Sequence, residues 1–555
     1  MPLAPLGSIN REAGIEAALR VWKAALGEAH VLCEPLALAA ASATTFETSQ
    51  RVLTILRPAD RGEVQECVRI ANRFRVPLYP ISTGRNWGYG SRVPANDGVL
   101  LDLGRLDRIL HYDERLAYVT VEPGVTQRQL HEFLLARGSK LWMDATGASP
   151  DCSIIGNTLE RGFGHTPMGD HAGSACNMEV VLPTGEVIET GFGSFASSRG
   201  GADGRAGAGP SIDGLFVQSN LGVVTRMSVW LMPAPEHFEA FFFVARRTDQ
   251  LGGIVEALRP LRLDGTLRSV MHIGNDYKVL AGLQQFPWEE TGGRTPLDRE
   301  TMGRIRGRLG IGFWNGSGGL YGSRAQVREA RRRVRRALRG KVDRLQFVDD
   351  RMFQLLRRFA GPAGWITGWD IKRTLAVLKP VYGLLRGVPT TAPMASAYWR
   401  KRTPVPAQPD PDRDRCGLLW CSPVLPLTGP DAVRVTSIAE QILLEHGFEP
   451  QTSLSLATDR SAIGVITIGY DRDTPGDDAR ALACYRRLTA DLTSSGYPPY
   501  RLNVASMDLL ARDGAVEAAL RALRNALDPN GVIAPGRYQP TGPLAQTERL
   551  RSGVA

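Results

Sequence analysis

The sequence predicts an α+β protein of at least two domains, and three observations carry that reading. At 555 residues the chain exceeds what one hydrophobic core usually serves. Residues 50–80 read as strand, helix and strand, closing on a glycine-rich loop. From about residue 240 to 495 the pattern changes to longer helices mixed with strands.

Taken in order, Ile15, Ala18, Leu19, Trp22 and Leu26 recur at helical spacing. The segment lacks a basic stretch followed by an apolar one, so it reads as an amphipathic helix and not as a signal peptide. Residues 51–56 are β-branched and apolar, a strand. After Pro58-Ala59-Asp60 a helix follows, with Val64, Cys67, Val68, Ile70 and Ala71 on one side. Val76 to Tyr79 is extended. Short strand signals recur at 98–103, 117–122, 178–182 and 223–231, and Pro183-Thr184-Gly185 predicts a hairpin turn. The Gly/Ser/Ala-rich stretch 192–210 reads as mobile, and the proline-rich stretch 403–412 as an exposed loop. Val516, Leu520, Leu523 and Leu527 predict a last helix, ended by Asp528-Pro529-Asn530-Gly531.

Composition narrows the function classes. Hydrophobic content of 43% and charged content of 22% suit a soluble globular protein, and no apolar run is long enough for a membrane span. Seven cysteines, an odd number, suggest reduced thiols in a cytoplasm. Cys416 and Cys421 lack a second Cys or His pair nearby, so no metal is expected. The formal net charge of +10 raises the question of nucleic acid, yet no nucleic-acid motif accompanies it. Nine basic residues fall within 324–341, where Val327, Ala330, Val334 and Leu338 keep helical spacing. They form either a solvated helix face or a docking patch for an acidic partner or substrate.

The run Pro80-Ile81-Ser82-Thr83-Gly84-Arg85-Asn86-Trp87-Gly88-Tyr89-Gly90 is the most specific feature. Its glycines and hydroxyls suit a loop that turns backbone N–H groups toward a diphosphate. It lacks the Lys-Ser/Thr pair of a P-loop and the G-x-G-x-x-G spacing of dinucleotide folds.

That loop is part of a longer resemblance. The chain resembles the flavoprotein family of vanillyl-alcohol oxidase and p-cresol methylhydroxylase (4-cresol dehydrogenase) through PISTGRNWGYG at 80–90, VEPGV at 121–125 and GNTLERGFGHTPMGDH at 156–171. MEVVLPTGEVIETG at 178–191 and IDGLFVQSNLGVVTRMSVWLMP at 212–233 also match, as do YRLNVASMD at 500–508 and DPNGVIAPGRY at 528–538. The resemblance implies a two-subdomain FAD-binding domain of residues 1–235, completed by 496–555, with an inserted α/β substrate-capping domain at 236–495. It assigns the FAD diphosphate to Ser82, Thr83, Gly84, Arg85 and Asn86, and the flavin ring and ribityl chain to Ser153, Ile154, Gly156 and Asn157. Tyr89, Tyr500 and Arg501 fall at its phenol-binding positions, and Trp420 beside the ring.

Two positions depart from the family pattern. Where the alcohol oxidases carry an acid near flavin N5, anchoring on Ser153 places Ala148, with Asp144 and Asp151 out of register. Where relatives tether the flavin through His or Tyr, anchoring on Ser422-Pro423 places Leu418; Ala43 replaces a helper histidine. None of the eight histidines falls at either place, so FAD without a covalent link is expected, with Cys416 as a second tether candidate. The resemblance implies oxidation of a para-substituted phenol by hydride transfer, with dioxygen or an electron-carrier protein as acceptor. A bulkier non-phenolic substrate, or a flavin-binding subunit without chemistry, are the alternatives. A homo-oligomer is expected, with neither nucleic acid nor membrane as partner.

Overall fold

The computed structural model describes residues 8–359, 371–509, 512 and 514–539. Part of the divergent cap stretch 361–402 and the end of the 496–555 segment lie outside them. Among the described residues nineteen strands form four sheets.

The first sheet holds β1 (Val31–Leu32), β2 (Val52–Leu56), β3 (Leu78–Ile81) and β4 (Gly98–Asp102), in the order β1-β2-β4-β3. The helix between β2 and β3 runs Arg61–Phe74 and starts on Asp60, whose carboxylate accepts from the Glu63 N–H. It stops at Arg75 in the left-handed region. Val64, Cys67, Val68, Ile70 and Ala71 are buried as the spacing predicts. They face Trp22 of the helix Ser8–Leu26, whose indole N–H donates to the Cys67 carbonyl. The C-terminal segment closes this sheet: the Leu78 N–H donates to Val532 O at 2.7 Å, and the Ala534 N–H to Leu78 O at 2.7 Å.

The second sheet comprises β5 (Ile109–Asp113), β6 (Tyr118–Val121), β8 (Ala175–Val181), β9 (Val187–Glu189) and β10 (Val223–Trp230). The predicted hairpin is present, with Glu179 opposite Glu189 across the turn at Pro183-Thr184-Gly185. β7 (Leu141–Trp142) and β11 (Met232–Pro233) pair separately. The 192–210 stretch is pinned to the sheet where Ala202 O accepts the Trp230 indole N–H at 3.0 Å.

The largest sheet begins at residue 237 with β12 (His237–Ala245), followed in the chain by β13 (Met271–Asn275), β14 (Trp314–Gly322) and β15 (Arg344–Asp349). β16 (Cys416–Cys421), β17 (Val424–Pro426), β18 (Gln451–Leu456) and β19 (Ser461–Asp471) complete it. The order is β15-β12-β14-β13-β18-β19-β16, with β17 on β19. One face packs Phe241, Phe243, Met271, Ile273, Leu454, Leu456, Ile466 and Ile468 against the helices Gln250–Leu263, Arg324–Ala337, Gly429–Glu445 and Asp477–Ser494. Because successive strand side chains alternate faces, the residues between them point to the other side. There they form one wall of a cavity.

On the basic helix Arg324–Ala337 three arginines are held in close ion pairs. Arg331 bonds Glu239 at 2.6 Å, Arg332 bonds Glu329 at 2.8 Å, and Arg333 pairs with Asp264. No helix among the described residues is long and apolar enough to cross a membrane, and no cluster among them could hold a metal ion.

Candidate active site

The glycine loop leaves β3 and turns through Gly84, Gly88 and Gly90, all at positive φ. The N–H groups of Thr83, Gly84, Arg85 and Asn86 have no acceptor among the described residues. Four free amides around a left-handed glycine form a concavity that favours an anion. The loop is laced to the segment at 153–157. The Ser153 N–H donates to Thr83 Oγ1 at 3.1 Å, and Ser153 Oγ accepts from the Gly156 N–H at 2.8 Å while donating to Pro123 O at 2.6 Å. A Cβ on Gly156 would overlap Ser82 Oγ, which is why this position takes no side chain.

Ser82, Thr83, Gly84, Arg85, Asn86, Ser153, Gly156 and Asn157 all line one cavity of about 720 Å³. Ile154 does not: it sits in the core beneath, and Ile155 takes the cavity position. Helical geometry turns neighbouring residues about 100° apart, so a one-residue difference decides which isoleucine faces inward. The Arg85 side chain is engaged elsewhere, its guanidinium bonded to Asp410 at 2.5 Å, which leaves its backbone N–H as the group facing an anion. Asp412 accepts from Trp87 Nε1 at 3.1 Å and Ser91 Oγ at 2.7 Å. The proline-rich loop is thus exposed at 403–408 but clamps the glycine loop at its end, a correction to the sequence reading.

Tyr89, Tyr500 and Arg501, more than four hundred residues apart in sequence, line this same cavity. The Arg501 guanidinium carbon lies 4.2 Å from the Tyr89 ring centroid. Arg501 Nε bonds Glu160 at 3.1 Å and its NH2 bonds Asn86 at 2.5 Å. The Tyr89 hydroxyl bonds Ser422 Oγ at 2.8 Å. Burial raises both tyrosine hydroxyls above the usual phenol range, while the Arg501 charge pulls them down. They are therefore neutral O–H donors at neutral pH.

Trp420 and Leu418 lie two apart on β16 and also line the cavity. The Leu418 N–H donates to Thr45 O at 2.8 Å, and Thr45 Oγ1 donates to Leu418 O at 2.9 Å. Cys416 is buried beside Tyr398 and outside the cavity, its thiol pushed up by burial. Ala148 faces the cavity at the position of the missing acid. Asp144 turns away, accepting from His171 Nε2 at 2.6 Å and the Thr166 N–H at 2.6 Å. Asp151 bonds Arg128 at the surface.

Several cavity residues escaped the sequence reading. Glu160 is the one carboxylate lining the cavity among the described residues, and it bonds Arg501, Arg537 and the Tyr538 hydroxyl. His165 and His272 lie with ring centroids 4.4 Å apart and their planes tilted by 36°, both held neutral by burial. His165 Nδ1 donates to Ala145 O at 3.0 Å. Lys278, on the helix Asp276–Leu283, projects its ammonium over the Trp420 ring at 4.4 Å. The polar alternation Asn315-x-Ser317 and Ser453-x-Ser455 was the available signal, since period-2 polar residues mark the open face of a strand.

The free amides, the side-chain-free approach at Gly156 and the volume of the cavity fit FAD. Comparisons with known proteins agree. Residues 52–191 match the FAD binding domain family. The chain is 43% identical to 1'-carboxy-chondrochloren decarboxylase of Chondromyces crocatus over 94% of its length and 97% of that protein. It is 32% identical to the 4-cresol dehydrogenase [hydroxylating] flavoprotein subunit of Pseudomonas putida, over 86% of this chain and 85% of that one. The crystal structure of p-cresol methylhydroxylase with substrate bound superimposes with a TM-score of 0.84 at 28% identity, covering 95% of this chain and 97% of that one.

Proposed function

Because the chain belongs to the p-cresol methylhydroxylase family of FAD-dependent oxidoreductases, we propose that it oxidises a para-substituted phenol, or a related aromatic, at the benzylic carbon. The observation that carries this reading is the convergence of Tyr89, Tyr500 and Arg501 on the cavity that also holds the free-amide loop. We read 1–235 with 496–555 as the flavin domain and 236–495 as the cap. The change of sheet at residue 237 and the return of Val532 and Ala534 to β3 support that division.

FAD, when bound, supplies the hydride acceptor. Ser422 can donate to the Tyr89 oxygen, which leaves the Tyr89 O–H free for the substrate. With Tyr500 and the Arg501 charge it favours the phenolate over a phenol whose pKa in water is about 10. A phenolate pushes electrons through the ring, so loss of the benzylic hydride leaves a p-quinone methide on the substrate. Water adding to that carbon yields the alcohol. Where the next carbon carries a carboxylate, its C–CO₂⁻ bond breaks instead: the electron pair forms a side-chain double bond, the ring returns to phenolate, and CO₂ leaves. The 43% identity to a protein named as a decarboxylase favours this second outcome.

FAD is proposed to be held without a covalent link, because Leu418 occupies the tether position and Cys416 lies outside the cavity. The acceptor is dioxygen or an electron-carrier protein. Seven free thiols support a cytoplasmic setting, and a homo-oligomer is part of the same reading. Anaerobic addition of 4-alkylphenols and 3-(4-hydroxyphenyl)propanoate to the holoenzyme tests the proposal. Bleaching of the flavin, with CO₂ released only from the acid, is expected. A flavin that photoreduces normally yet is bleached by no phenol would leave a non-phenolic substrate or a flavin-binding subunit as the reading.

A further inference from the structure

Resting on the aromatic-substrate reading, we infer that Lys278 and the polar face of the large sheet form a seat for an anionic group, a carboxylate, on the substrate's side chain. Arg501 and Arg537, the other deep cations of the cavity wall, both pair with Glu160. Lys278 has no carboxylate within ion-pair distance among the described residues. Its partners are Thr467 Oγ1 at 2.8 Å and the Trp420 ring face. An ammonium taken from water costs several kcal/mol unless an anion or a full set of acceptors replaces the hydration. One hydroxyl and one aromatic face leave that cost mostly unmet, and burial lowers the amine toward about 7. A buried, unpaired cation facing a cavity is a group waiting for an anionic ligand.

The sheet supplies the surroundings. Strand alternation presents His272, Asn315, Ser317, Ser453 and Ser455 to the cavity, while their neighbours fill the apolar core on the opposite face. Phe242 and Val465 share this wall, so it offers apolar contact together with a group of donors and acceptors that a bare alkyl chain would leave unused. His272 contributes a further donor or acceptor, its Nδ1 bonded to Ser455 at 3.0 Å and its Nε2 without a partner. The seat is also in the right place. Trp420 packs against Gly88, where a Cβ would overlap the indole, and Gly88 precedes Tyr89. Lys278 therefore stands over the tryptophan whose indole meets Gly88, in the cavity that Tyr89, Tyr500 and Arg501 also line.

Calorimetry on dithionite-reduced holoenzyme, which cannot accept hydride, tests the seat by binding alone. The probes are 3-(4-hydroxyphenyl)propanoate and its uncharged counterpart 4-propylphenol. Wild type is expected to bind the acid at least tenfold more tightly. Lys278→Met is expected to lose 10–100-fold in affinity for the acid with 4-propylphenol unchanged, which also shows that the variant is folded. Equal losses for both compounds, or no loss for the acid, would overturn the inference. Wild type that binds 4-propylphenol but not the acid leaves the phenol reading standing and removes the seat. Wild type that binds neither removes both.

Discussion

Arg501 lies over Tyr89 with its guanidinium carbon 4.2 Å from the ring centroid, and Glu160 holds it there at 3.1 Å. The ion pair fixes the arginine plane and leaves part of its charge for the cavity. That makes Arg501 a positioned cation whose geometry a lysine cannot reproduce, since only a planar fork both stacks and bonds two oxygens.

The first prediction concerns the phenolate. Tyr500→Phe removes one hydroxyl donor from the cavity wall, and a hydrogen bond to a charged group is worth about 1.5–3 kcal/mol. A fall in kcat/KM of about 10–100-fold follows. Arg501→Lys should lower it at least as far. Steady-state kinetics with 4-ethylphenol checks both, and turnover left near wild type in the double variant would exclude phenolate activation.

Flavin attachment is a separate matter. Leucine has no group able to bond the flavin, so precipitating the holoenzyme with acid should release all yellow colour into the supernatant. Colour kept in the pellet would show a covalent link through another residue, and peptide mapping would identify it.

Gly156→Ala tests the cradle. The added methyl would meet Ser82 Oγ at the point where the glycine loop and the 153–157 segment touch. Ser82 Oγ, on the loop that carries the free amides of Thr83 to Asn86, must move aside. FAD affinity is expected to fall about tenfold or more, a cost of roughly 1.4 kcal/mol, measured by fluorescence as flavin is released. The melting temperature of the apoprotein should change little by comparison.

Lys278 links the site to stability. Its amine sits near 7 in the folded protein against a usual 10.5, because burial disfavours the charged form. Between those two values the unfolded chain binds more protons than the folded one, so this group makes stability rise with pH. Lys278→Met should flatten that slope between pH 7 and 10 and stabilise the protein at pH 7 by about 4 kcal/mol. Thermal unfolding across this range decides. A variant less stable than wild type at pH 7 would show that the ammonium is already compensated.

Local signals were legible wherever the residues themselves carry them. The helix Arg61–Phe74 follows from its apolar spacing and the Asp60 cap, and the hairpin at 179–189 from Pro183-Thr184-Gly185. The glycine loop could be read as an anion cradle because positive φ and absent Cβ are properties of single residues. The isoleucine facing the cavity came out one position away, as the helical turn at 154–159 sets it. The proline-rich stretch looked like surface throughout, because nothing local says that Asp410 and Asp412 will meet Arg85 and Trp87.

The sequence by itself determined the glycine-rich loop, the family strings that carry Tyr89 and Tyr500-Arg501, and the leucine at position 418, because each is written in a short run of residues. Only the tertiary structure decided that Arg501 and Arg537 share the one carboxylate of Glu160 while Lys278 stays without a carboxylate among the described residues. Charge pairing depends on which side chains approach within a few ångströms, and these lie on elements more than a hundred residues apart. The polar wall over the cavity is likewise set by which face of β13, β14 and β18 the helices cover, and that is settled only when the sheet packs.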